Sequence, residues 1–378
     1  MRMLIDWLTL YYTKNIGSKR LMQLVAHFDS ATNAVNASNG EWRKAGMTDT
    51  VIASREDIAR KKAEAAIHWM ESSDQHHIIV VTDDLYPELL RVSDDPPALL
   101  FLKGDPTILS RPQLGIVGTR HPTKEGEQNA YHFAKELGDY GFVITSGLAM
   151  GIDKSAHEGT LISQSPTIAV LGTGLNEIYP KNHVQLADKI VAQGGCLVSE
   201  FPLHTPAIPN NFPKRNRIIA GLSLGVLVVE AADKSGSLIT ARLANESSRE
   251  VFAIPSSIHN PQSKGCHKLI REGAKLVEST FDIFSELKHW LPNENQTAIQ
   301  HPLPSSKKSI AMVAVDPPED PLEKQIFDQL TQPLSIDDIV TQTSLEAHIV
   351  MQAISMMEIE GYIIRQDGQY FIQNHQSS

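Results

Sequence analysis

The sequence predicts an α/β protein: an extended Rossmann-like parallel sheet flanked by an N-terminal helical domain and a C-terminal winged-helix domain. Three observations carry this. From His76 to Ser279, apolar strand-like runs alternate with helical stretches, the texture of a parallel sheet covered on both faces. Before them the spacing is purely helical, and after them come three helical segments and a hairpin pattern. The length of 378 residues exceeds a usual single domain and has room for two or three cores.

Residues 1–75 are expected to form the helical domain. Leu21, Leu24, Val25 and Phe28 fall on one face after the turn "NIGSKR". The Ile16-Gly17 pair ahead of that helix fits a helix-hairpin-helix, whose amides can hold a DNA phosphate, as well as a plain packing turn. Residues 76–290 carry the sheet. Its strands are "HHIIVV", "ALLFLKG", "LGIVG", "FVITSG", "TIAVLG", "CLVSE", "GVLVVE", "VFAIP" and "AKLVES", with a helix marked by Ala130, Phe133, Ala134 and Leu137 at i, i+3, i+4, i+7. Residues 291–318, rich in Pro, Ser, Asn and Gln, read as a linker. Residues 319–378 form the winged helix, with a hairpin turning at Asp367-Gly368.

The formal net charge is -10, but it is unevenly spread. Residues 319–378 hold ten carboxylates against Lys324 and Arg365, a net of -8, so the rest of the chain is close to neutral. The apolar runs are far shorter than the roughly 20 residues a membrane span needs, and Asp6 interrupts the N-terminal stretch early. Only Cys196 and Cys266 occur, which excludes a disulfide framework and fits a reducing compartment. A cytoplasmic protein without membrane contact is expected.

In a doubly wound sheet, ligands bind beyond the carboxyl ends of the strands, so the loops there are the places to search. "GTRHPT" offers Gly118 for close backbone approach, the Thr119 hydroxyl, and Arg120 as a fork of donors. "SGLAMGIDKSAH" sets Gly147 and Gly151 before Lys154 and His157, and "GTGLNEIYPKNH" ends on Lys181 and His183. "FPKRNRIIAG" places Lys214, Arg215 and Arg217 together beside Phe212. Cations near a helix start oppose its dipole by about 0.3–1 kcal/mol each, and no Asp or Glu occurs between Glu200 and Glu230 to offset them. An anion is the better explanation, with Phe212 as a stacking platform for a base. "EAADKSGSLITARLA" gives Ser235, Gly236, Ser237 and Thr240 at a hydroxyl-rich helix start suited to an oxyanion, or simply to a well-capped helix.

Catalytic readings are weaker. Neither H-E-x-x-H nor a Walker A sequence is present, and the 15 histidines show no metal-ligand spacing. No metal, cofactor or catalytic nucleophile is expected. Glu200 and Glu230 at strand ends are better read as loop supports than as an acid/base pair.

Taken in order, "GIVGTRHPT", "SGLAMGIDKSAHEGTL", "AVLGTGLNEIYPKNH", "LVSEFPLHTPAIPNNFPKRNRIIAGLS", "VVEAADKSGSLITARLA" and "VFAIPSSIHNPQSKGCHKLIREGAKLV" resemble the DprA (Smf) family of DNA-processing proteins over roughly residues 80–280. The front and tail domains resemble the family's accessory domains, the front one a SAM or helix-hairpin-helix module. The resemblance implies a non-enzymatic protein of natural transformation. It would bind and protect incoming single-stranded DNA and help load RecA recombinase, with single-strand binding protein as a further partner. It also implies that Arg120, Lys214, Arg215 and Arg217 line the DNA groove, and that a homodimer forms through the face carrying His267, Leu269 and Leu276.

The tail departs from a duplex binder. Its candidate recognition helix, 345–360, has Glu346, Glu358 and Glu360 but no Lys or Arg, so DNA phosphates would repel it, and the domain is expected to contact another protein or fold against its own chain rather than grip duplex DNA. Two rival readings stay open: a Rossmann nucleotide phosphoribohydrolase-like enzyme, although its P-G-G-x-G-T-x-x-E signature is missing, and a structural adaptor working through the winged helix.

Overall fold

The computed structural model describes residues 2–55, 57–292, 318, 320–330, 334–343, 345–359, 362–366 and 369–372. The chain divides into two units, Met1–His301 and Pro302–Ser378. Nearly all of the expected linker lies outside the described residues.

The first unit opens with helices α1 (Arg2–Tyr12), α2 (Ser18–Phe28), α3 (Ala31–Asn36), α4 (Asn39–Lys44), α5 (Asp49–Ile52) and α6 (Asp57–Glu71). Leu21 and Leu24 are buried on the inner face of α2, while Val25 and Phe28 are half-buried. This helical core is continuous with that of the sheet. Tyr11 Oη donates to the Glu200 carbonyl at 2.7 Å, and Trp69 meets Phe101 edge to face.

Nine strands follow: β1 (His76–Val80), β2 (Leu99–Gly104), β3 (Gln113–Val117), β4 (Val143–Ser146), β5 (Thr167–Val170), β6 (Cys196–Ser199), β7 (Gly225–Val228), β8 (Glu250–Ala253) and β9 (Lys275–Leu276). They form one sheet in the order 1-2-6-5-4-3-7-8-9. From β6 to β9 every neighbouring pair is parallel, and β3 to β7 are buried along their whole length, as a sheet covered on both faces requires. The first two strands depart from the predicted parallel pattern: β1 runs antiparallel to β2, and β2 antiparallel to β6. Their connection holds only the four-residue helix α7 (Glu88–Arg91). Too little helix is present to make a crossover, so the chain folds back and reverses.

The remaining helices are α8 (Lys124–Asp139), α9 (Ile152–Ile162), α10 (Val184–Ala192), α11 (Asn211–Leu222), α12 (Ser237–Glu246), α13 (Lys264–Arg271) and α14 (Thr280–Leu287). On α8, Ala130, Phe133, Ala134 and Leu137 face the core as their spacing predicts. The chain steps from β3 through β4 and β5 to β6 on one side, then returns by α11 to β7 on the other. That reversal opens a crevice beyond the carboxyl ends of β3 and β7.

His157, which the sequence puts near the start of a helix, is fully buried in α9. Thr167 Oγ1 donates to the Ile144 carbonyl at 2.6 Å. Its lone pairs therefore face His157 Nδ1 at 2.8 Å, and the imidazole donates from that nitrogen. Nε2 is buried without a partner. Burial, aided by His183 and Arg215, pushes the pKa down to about 3. The unfolded chain takes up this proton near about pH 6.5, so the stability His157 contributes is present above that pH and is lost as pH falls toward 3. Moving from about pH 7 to about pH 5.5 is expected to cost about 1 kcal/mol through this side chain. Denaturant unfolding at both pH values checks it: His157→Gln should lose correspondingly less, and an equal loss in both proteins would refute the assignment.

In the second unit, α15 (Pro321–Phe327), α16 (Ile336–Thr343) and α17 (Ala347–Ile359) pack with an antiparallel hairpin of β10 (Ile363–Gln366) and β11 (Gln369–Ile372). Ile326, Ile339, Val350, Ile354 and Met357 form its core. Asp320 caps α15, accepting from the amides of Leu322 and Glu323. The predicted hairpin turn and Glu360 lie outside the described residues. Among the described residues no helix is long and apolar enough to cross a membrane.

Candidate nucleic-acid interface

A hollow of about 590 Å³ opens at the crevice, and the loop after each of β3 to β7 feeds it. The first supplies Gly118, Thr119 and Arg120, the second Asp153, the third Tyr179, the fourth Phe212 and Arg215, and the fifth Ser235, Gly236, Ser237 and Thr240. Nine predicted contact residues are thus brought together. Lys154, Lys181, Lys214 and Arg217 are not among them.

Arg215 decides the electrostatics of this hollow. It is 4% exposed, and its Nε and Nη1 have no hydrogen-bond partner. Asp153 lies near enough to attract it, but the Asp153 Oδ2 already accepts the amides of Gly147 at 3.1 Å and Ala149 at 3.4 Å. Burial pushes the Arg215 pKa down to about 10, which leaves it cationic at neutral pH. The guanidinium fits because residue 147 is glycine: a Cβ there would overlap it. Buried donors are normally satisfied; these two are shut from solvent, with Nη1 packed against Gly147, so what Arg215 offers an anion in the hollow is chiefly its charge.

The helix ends reinforce it. α9, α11 and α12 all begin at the hollow, and none has a side-chain cap. Asn210 stands at the N-cap of α11, but its side chain makes no capping bond. The amides of Ile152, Asn211, Ser237, Leu238 and Ile239 already donate to nearby oxygens, so what these starts offer an anion is chiefly their positive dipole ends. One wall is aromatic: the Arg120 guanidinium lies 5.5 Å from the Phe212 ring centre, and Tyr179 lies 5.6 Å beyond Phe212. Tyr179, 44% exposed, went unpredicted. Its only signal was an aromatic residue on the third glycine loop.

The other cations are dispersed. Lys154 is exposed, reaches Glu158 at 3.6 Å, and lines an adjoining hollow that shares Arg120. Lys181 is exposed on a short turn beside that hollow. On α11, Lys214 and Arg217 are three residues apart and share a face, while Arg215 points about 100° away from Lys214. Arg217 is tied to Glu200 and, through Nε, to Asp95 at 3.1 Å. This corrects the expectation of three convergent cations: Arg217 is held in a structural ion pair whose second acid comes from a distant segment. Glu230 likewise supports loops, accepting from the Thr123 amide at 2.9 Å, the Thr123 hydroxyl at 2.7 Å and the Asn260 side chain at 3.3 Å.

Two features could suggest other sites. Gly221-Leu222-Ser223-Leu224-Gly225 has the spacing of a hydrolase nucleophile elbow. However, Ser223 is fully buried, donates to the Ile219 carbonyl at 2.7 Å, and joins a helix to a strand rather than a strand to a helix. A larger hollow of about 1010 Å³ lies beside α12, α13 and β9. Four of its five cations are engaged, with Arg242 near Glu246, Lys268 near Glu272, Lys275 on Glu286 and Arg249 donating to the Leu89 carbonyl. Of the predicted dimer residues, Leu276 is 42% exposed on the edge strand β9, Leu269 is half-buried against the core, and the His267 ring contacts Ser256.

Comparison with known proteins decides the family. Residues 77–288 match the model for DNA recombination-mediator protein A, residues 2–64 that for a DprA-like N-terminal HHH domain, and residues 311–369 that for a DprA winged helix domain. The chain belongs to the DprA family. It is 37% identical to Protein Smf of Escherichia coli, covering 96% of this chain and 94% of that protein. It is 49% identical to DNA processing protein DprA of Bacillus subtilis over 55% of this chain and 70% of that one. Among solved structures, Streptococcus pneumoniae DprA aligns with a TM-score of 0.63 at 34% identity, covering 74% of this chain and 97% of that one. Helicobacter pylori DprA aligns with a TM-score of 0.51 at 31% identity, covering 57% and 96%; that structure is described as revealing a unique single-stranded DNA binding mode.

Proposed function

We propose that this DprA-family chain binds and protects single-stranded DNA entering the cell in natural transformation, and helps load RecA recombinase onto it in the cytoplasm, without catalysing a reaction. The observation that carries the reading is the buried Arg215 cation lining a hollow that also holds Arg120, three helix starts and an aromatic wall. The charges of Arg215 and Arg120 hold phosphate, and bases stack on Tyr179 and Phe212 without regard to sequence. Lys154 and Lys181 extend the positive rim. A labelled oligonucleotide tests this: affinity should fall steeply with salt, and no free base should be released from nucleoside monophosphates. Saturable base release would instead favour the phosphoribohydrolase-like alternative.

In this reading residues 1–75, 76–290 and 319–378 work as three domains, with 291–318 as tether. The winged helix, whose α17 lacks Lys and Arg, recruits a protein such as RecA or single-strand binding protein. Two copies join through α13 and β9, and two DNA sites in one dimer raise apparent affinity through effective concentration. An edge strand with an exposed leucine supports that pairing. Leu276→Asp is expected to sediment as a monomer where the parent sediments as a dimer; a monomeric parent would overturn it.

A further inference from the structure

On the other side of α11 a second cleft, of about 580 Å³, opens where the N-terminal helices meet the sheet domain. Lys19 and Arg20 of α2 line it together with Lys214 and Arg217 of α11. Its two acids, Asp95 and Glu200, are both taken by Arg217. Lys19, Arg20 and Lys214 are therefore exposed cations with no ion pair among the described residues. Arg20 is steadied by donating to the Asn15 carbonyl at 2.7 Å. Gly17 and Ser18 line the cleft too, and α2 has no side-chain cap, so its first amides point the same way as the cations.

Like charges brought together from distant segments repel, and an anion relieves the repulsion. The position of the cleft identifies that anion. α11 separates it from the hollow: Phe212 and Arg215 face one side, Lys214 and Arg217 the other, and the exposed Pro213 and Lys214 lie at the helix start between them. We propose that a DNA strand seated in the hollow passes over this first turn of α11 and lays its next phosphates on Lys214, Lys19 and Arg20. The N-terminal domain thereby becomes the second half of the binding path. This rests on the single-stranded DNA reading above.

Strand length separates the two claims. Oligothymidylates of about six and about twenty-five nucleotides are titrated against the full chain, Lys19→Glu and Arg120→Ala at several salt concentrations. Lys19→Glu should leave the short oligomer's Kd within about twofold, weaken the long one's by about tenfold, and lower the long one's salt slope by about one. Arg120→Ala should weaken both lengths. If Lys19→Glu changed neither length, or changed both equally, the extended path would be overturned while the hollow stood. If the parent bound neither oligomer, the single-stranded DNA reading itself would fall. Both side chains are exposed, so unchanged melting temperatures serve as the control for folding.

Discussion

Arg215→Met is expected to weaken single-stranded DNA binding by on the order of a hundredfold, and combining it with Asp153→Asn should leave the protein at least as stable as the parent. Nε and Nη1 of Arg215 are buried without partners. One charge-assisted contact between the guanidinium and phosphate, worth up to about 3 kcal/mol, accounts for that loss. The stability half follows from burial. Asp153 and Arg215 are charges drawn from water without a direct bond between them, and replacing such a pair with neutral residues is often neutral or stabilising by about 1–4 kcal/mol. The single substitution strands Asp153, whose pKa is already raised by burial, and is expected to destabilise until the second is added. Fluorescence anisotropy reads the binding and thermal melting the stability. Parental affinity in Arg215→Met would remove the central group from the site.

Arg120→Ala combined with Lys214→Ala should reduce the slope of log affinity against log salt by about 1.4, since each phosphate contact on a single strand contributes about 0.7. The affinity loss would be roughly thirtyfold near 0.1 M salt and would shrink toward 1 M. Both side chains are exposed, so little stability is at stake. Arg120 also packs over Phe212, and its removal frees that ring, adding a loss that salt does not screen. An unchanged slope would mean that these cations never meet phosphate.

The loops were legible because a doubly wound sheet gathers every strand's carboxyl end on one side, so a glycine loop after each strand marks the site once the strands are found. The facing of side chains was not legible. Lys214, Arg215 and Arg217 read alike in sequence, yet a helical rotation of about 100° and the missing side chain at Gly147 send only Arg215 inward. Arg217 finds Asp95 across more than a hundred residues, beyond any local search for a carboxylate. His157 reads as polar, but its place one turn inside α9 and its bond to Thr167 belong to the tertiary core. The antiparallel β1 and β2 escaped for a different reason: apolar runs announce strands without announcing direction.

Three helix dipoles and two guanidinium groups gathered at one hollow leave the protein without an anion the less settled of its two forms. Whatever satisfies those groups completes the interior and raises the cost of opening the chain, with a gain that grows as the logarithm of its concentration over Kd. Molecules without bound DNA are then expected to unfold and be cleared by proteases first, so a pulse-chase in cells should find a longer half-life when single-stranded DNA is supplied.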